Sequence, residues 1–109
     1  MSQTIANFNH EYQFSQLDTY DYTIQTAGTH NIAVKLTDVT SLSGVTIVIK
    51  KNSTTLSTLA DSALNEMNAF AQTNCSVNDV IHVQVTSTTA SDAGPNQLTG
   101  FITITRIGA

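Results

Sequence analysis

The stretch VTIVIKKNSTTLSTL, residues 45–59, decides the fold by its periodicity. Val45, Ile47 and Ile49 alternate with Thr46, Val48 and Lys50, a period of two that suits a half-buried strand and not a helix. Lys51-Asn52-Ser53 then supplies turn chemistry, and the chain resumes an extended pattern from Thr54 to Leu59, so the unit reads as a β-hairpin. The same alternation recurs on both sides of it. Upstream, Tyr20, Tyr22 and Ile24 alternate with Asp21, Thr23 and Gln25; Ala27-Gly28-Thr29-His30 is expected to turn the chain; and Ile32, Val34 and Leu36 alternate with Ala33, Lys35 and Thr37. An earlier strand is expected over residues 12–17. Downstream, Ile81, Val83 and Val85 alternate with His82, Gln84 and Thr86. The last segment, LTGFITITRI at residues 98–107, puts Leu98, Gly100, Ile102 and Ile104 on one face and Phe101, Thr103, Thr105 and Ile107 on the other. Gly100 sits where a strand should be densest in side chains, which predicts a close approach by a neighbouring group.

One segment has two readings. Over residues 61–72, Leu64, Met67 and Ala71 fall at helical spacing behind a capping Asp61 or Ser62, while Met67, Ala69, Ala71, Thr73 and Cys75 alternate as a strand. The strand reading is favoured because every neighbouring segment is a strand. Strands about ten residues apart, joined by polar turns, predict an all-β antiparallel sandwich of jelly-roll type, and no crossover helices are present for a parallel α/β sheet. The expected organisation is an N-terminal arm over residues 1–12 and a sandwich domain over residues 13–109.

Composition narrows the function. The 109 residues are 40% hydrophobic and 11% charged, about half the usual charged fraction, so the surface is polar without being ionic. A net charge of −4 with only Lys35, Lys50, Lys51 and Arg106 as cations argues against nucleic acid and against anionic membranes as partners. No run approaches the roughly 18 apolar residues of a membrane span, and MSQTIANFNHEYQ has neither the basic n-region nor the apolar core of a signal peptide, so secretion by a signal peptide is not expected. The triplets Asn52-Ser53-Thr54 and Asn74-Cys75-Ser76 then read as turn and strand-end residues, not glycosylation sites.

Catalytic chemistry is not expected. His10, His30 and His82 are placed by the pattern in an arm, a turn and a strand, with no metal-ligand spacing, and no cofactor motif occurs. Cys75 shows no sequence-level sign of activation by a helix N-terminus or nearby cations and reads as a buried small hydrophobe. Asp18 and Asp21 are expected to flank a turn, Asp38 to end a strand, and Asp61, Asp79 and Asp92 to sit in turns, leaving no carboxylate pair for hydrolysis.

The order of segments GTHNIAVKL, GVTIVIKKNSTTL, CSVNDVIHVQV and, after a polar loop, NQLTGFITITRI resembles the complement-component and tumour-necrosis-factor-like jelly rolls. These occur as trimeric heads of secreted proteins and on tailed-phage virions. The positions that carry the resemblance are Gly28 and Ile32, Lys51 and Asn52, Asp79 to Ile81, and Leu98 with Gly100 and Phe101. Two departures stand out: Asn78 precedes Asp79 where the family often has Gly, and Leu98 stands where an aromatic is usual.

The resemblance implies a homotrimeric virion structural protein, a decoration or cement protein that sits on a phage capsid surface and contacts the major capsid protein. The polar stretch over residues 1–12, with Ile5 and Phe8 as isolated apolar anchors beside His10, is expected to be the capsid-contacting arm, and a subunit interface is expected to draw on Tyr20, Tyr22, Leu98, Phe101 and Arg106. The alternative is a receptor- or glycan-binding knob of a phage fibre, with specificity in residues 90–97 and 40–44 and with Tyr20 and Tyr22 as sugar-stacking surfaces.

Overall fold

A computed structural model describes residues 2–4, 11–37, 44–61, 67–87 and 99–108. The described chain is all β: β1 (Ser2–Thr4), β2 (Glu11–Phe14), β3 (Thr19–Thr23), β4 (Gly28–Thr37), β5 (Val45–Lys51), β6 (Thr54–Asp61), β7 (Met67–Cys75), β8 (Val80–Thr86) and β9 (Thr99–Gly108). They form two sheets, ordered β1-β3-β8-β5-β6 and β2-β9-β4-β7. The antiparallel pairs β2/β9, β3/β8, β4/β7 and β5/β6 are nested, as if one long hairpin had been wound so that successive pairs enter alternate sheets. That winding is the jelly roll anticipated from the sequence. Only β1 is laid on parallel, against β3.

The alternation puts one residue in two of nearly every strand into the core between the sheets. Ile32, Val34 and Leu36 of β4, Val45, Ile47 and Ile49 of β5, Ile81, Val83 and Val85 of β8, and Ile102 and Ile104 of β9 are all buried. Met67, Ala69, Ala71 and Cys75 do the same for β7, so the extended reading of that segment holds from Met67 onward, and β6 runs on to Asp61. Asn52, between β5 and β6, has φ 54°, and Asn78, before β8, has φ 77°. Both occupy the left-handed region that Asn tolerates better than other side chains.

Several boundaries differ from expectation. The predicted turn at residues 27–30 ends earlier: β4 already begins at Gly28, whose φ of 145° suits glycine alone, and a bulge opposite Thr29 and His30 takes up the irregularity. His30 is therefore a buried strand residue, its Nδ1 2.9 Å from the Gly28 carbonyl oxygen. Asp21 lies in the middle of β3, in register with His82, and does not flank a turn; Asp18 does, and its carboxylate accepts the Thr19 N–H at 2.8 Å. Residues 2–4 pair with β3, and the arm boundary expected at residue 12 falls inside β2.

Gly100 has its explanation in β2. A Cβ built on it would lie 2.5 and 2.6 Å from Cε2 and Cε1 of Phe14, and closer still to Cζ. Phe14 is 4% exposed and stacks at 4.5 Å on Tyr20, whose hydroxyl donates to the Gln16 carbonyl at 2.6 Å. The glycine is the recess that lets this aromatic group close the core beside β9.

Candidate interaction face

The sequence expectations for a subunit interface fall in three places. Tyr20 is 1% exposed and Tyr22 is half-buried against the core, so both aromatics are spent inside their own subunit and have little surface for a neighbour. Burial, with the charge of Asp18 second, pushes the Tyr20 phenol well above its ordinary range. Their alternation signalled one shared face correctly; that face is inward, because both belong to the inward set with Ile24. Arg106 is exposed, but its Nε donates to the Ala27 carbonyl at 2.7 Å, so part of its fork is held by its own chain. Of the expected set, Arg106 and Phe101 are the described residues that lie outward, and Phe101 is the apolar one. Leu98, and the arm residues Ile5, Phe8 and His10, lie outside the described residues.

Phe101 leads to a patch the sequence reading did not assemble. On the outer face of the β2-β9-β4-β7 sheet, register places Phe101, Lys35 and Asn68 in one row and Thr103, Ala33 and Phe70 in the next. Ala33 is the short member, and its missing side-chain volume leaves a depression of about 330 Å³ bordered by Phe70, Phe101, Lys35, Asn68 and Thr103. Phe70 is 56% exposed although it sits mid-strand, and it is the largest exposed hydrophobic side chain among the described residues. The next row is Thr105, Asn31 and Gln72, and the side-chain oxygen of Asn31 is buried yet meets no donor among the described residues. An outward sheet face is normally polar, so two phenylalanines around an alanine with an unmatched acceptor beside them make a surface suited to being covered. The signal for Phe70 was present in the sequence: the strand reading that buries Met67, Ala69 and Ala71 puts Phe70 outside by parity.

The opposite sheet carries a different feature. His82 Nδ1 lies 2.6 Å from Asp21 Oδ1 across β3 and β8, with Lys50 in register on the far side of His82. The row alternates acid, imidazole and cation along an outward face and acts as a cross-strand clasp. No serine, cysteine or further acid is brought onto it as a reacting partner among the described contacts. Among the described residues no three of His, Cys, Asp and Glu come together as metal ligands. Cys75 is a buried free thiol whose pKa is pushed up by burial, and it is poorly suited to nucleophilic work.

No family model and no curated protein matches the sequence. Solved structures do. The pre-peptidase C-terminal domain of a collagenase from Bacillus anthracis superimposes over 96% of this chain and 95% of its own at 16% identity and a TM-score of 0.55. The TNF-like GITRL of rabbit matches over 78% of this chain and 69% of its own at 17% identity and a TM-score of 0.55. The C-terminal domain of EclA, a sugar-binding protein, matches over 93% and 81% at 8% identity and a TM-score of 0.52. Likeness at such identities establishes the jelly-roll fold and nothing about shared activity.

Proposed function

We propose that the protein is a non-enzymatic virion structural protein, a homotrimeric decoration protein of a tailed-phage capsid, and that the outer face around Ala33, Phe70 and Phe101 is covered by neighbouring copies in the trimer. The exposed Phe70 beside Phe101 carries this reading. Completing the burial of a half-exposed phenylalanine contributes about 1 kcal/mol per copy, and the low charge of the face leaves little repulsion to overcome. The ordered motifs that resemble trimeric jelly-roll heads supply the stoichiometry. Their occurrence on phage virions, together with the Thr/Ser/Asn surface, supplies the setting.

The test is reconstitution on phage heads that lack the protein. The expected result is saturable binding in multiples of three copies, lost when residues 1–10 are deleted; undiminished binding without them would refute the arm's role. The other reading, a glycan- or receptor-binding knob, has the exposed Phe70 ring in its favour, since sugars stack on aromatic faces. A glycan array separates the two: strong carbohydrate binding with no affinity for heads would favour the knob.

A further inference from the structure

We infer that the protein seats on its partner through the end of the sandwich where the β5–β6 and β7–β8 turns meet the bulged end of β9, and that the partner offers an acidic protein surface around an apolar recess. This placement rests on the decoration role proposed above. The turns at this end are bound to one another. Asn52 N–H donates to the Val80 carbonyl at 2.7 Å and Val80 N–H donates back to Asn52 Oδ1 at 3.0 Å; Ile24 N–H reaches the Asp79 carbonyl at 2.8 Å and Asn78 N–H the Ile24 carbonyl at 2.9 Å. A platform so braced loses little entropy on binding.

Two aliphatic side chains project from it. Val77, in the β7–β8 turn, and Ile107, beside the bulge in β9, are each 51% exposed. A bulge re-aims the side chain it carries, and here the chain does so for an isoleucine at an exposed position. Val77 lies just past the end of β7 and Ile107 near the end of β9, with β4 between the two strands. Charge completes the pattern. Three of the four cations in the sequence, Lys50, Lys51 and Arg106, fall at the strand ends here, although the whole chain carries −4. The described acids nearby are engaged: Asp79 accepts from Ser76 N–H at 2.8 Å and from the Asn52 amide at 3.1 Å, and Asp21 holds His82. β1, parallel to β3, runs toward this end and β2 runs back from it.

The test uses the full chain on phage heads lacking it, with Val77→Asp, Ile107→Asp and Arg106→Glu, and with Thr58→Asp on the outer face of the five-stranded sheet as control. Each variant is first checked for wild-type circular dichroism and sedimentation. Val77→Asp and Ile107→Asp are expected to weaken head binding by about tenfold or more, as for side chains at the centre of an interface. Arg106→Glu should flatten its salt dependence, and Thr58→Asp should bind normally. Binding to these heads at the wild-type level in both aspartate variants overturns the placement and leaves the decoration role standing. Binding to phosphatidylserine vesicles but not to heads, or to neither, overturns both.

Discussion

Gly100→Ala isolates one contact whose geometry fixes the sign of the effect. The backbone at Gly100 has no positive φ, so alanine meets no conformational penalty there and, as a better strand former, would by itself gain about 0.5–1 kcal/mol. Against that stands the Phe14 ring, 2.5 to 2.6 Å from the new Cβ at two of its carbons, 4% exposed, and backed by Tyr20 at 4.5 Å. The ring cannot swing aside, because Tyr20 is itself anchored on Gln16, so the accommodation falls on the backbones of β2 and β9. Overpacking of this kind costs about 1–3 kcal/mol and outweighs the gain. The expected net loss is about 1–2 kcal/mol, and a domain near this size loses roughly 4–8 °C of Tm per kcal/mol. Urea unfolding at fixed protein concentration measures it, and Phe14→Leu provides the control. The double variant should recover at least about 0.5 kcal/mol relative to the sum of the single changes, since the two residues share one space. A Gly100→Ala protein as stable as the wild type, or additive with Phe14→Leu, would refute close approach as the reason for the glycine.

Two further outcomes follow from the same structure. The Asp79 carboxylate is held below its ordinary range first by the Ser76 N–H, then by the Asn52 amide, so its stabilising effect is present at neutral pH and fades as pH falls through the depressed value. Asp79→Asn should lower stability at pH 7 and shrink the loss on acidification; an unchanged acid limb in pH-dependent unfolding would contradict it. Tyr20→Phe removes the donor to the Gln16 carbonyl while keeping the ring, and should cost about 1 kcal/mol in denaturant unfolding, with no loss counting against that hydrogen bond.

Much of the fold was legible because the strands carry alternation that only a two-sided sheet satisfies. β4, β5, β8 and β9 could be paired with a buried face from their aliphatic positions alone. β7 was harder, because Leu64, Met67 and Ala71 also fall at helical spacing, and only the company of other strands decided it. What the residues could not reveal was nonlocal register. Gly100 announced that something packs against it, but Phe14 is distant in the chain and the β2/β9 pairing identifies it. Asp21 read as a turn residue and His82 as an ordinary strand residue until β3 and β8 were aligned. Tyr20 and Tyr22 were expected at a subunit interface as part of the reading built on the resemblance. An aromatic on an amphipathic strand tells which neighbours share its face, not whether that face meets the core or another molecule.

Self-association through the Ala33, Phe70 and Phe101 face is the central claim, and sedimentation equilibrium of the wild type beside Phe70→Asp and Phe101→Asp tests it most directly. The account predicts a wild-type species of about three times the 11.7 kDa chain mass at micromolar concentration, with both variants folded and shifted to monomer. A wild type that sediments as a folded 11.7 kDa monomer, or aspartate variants that remain trimeric, would contradict it.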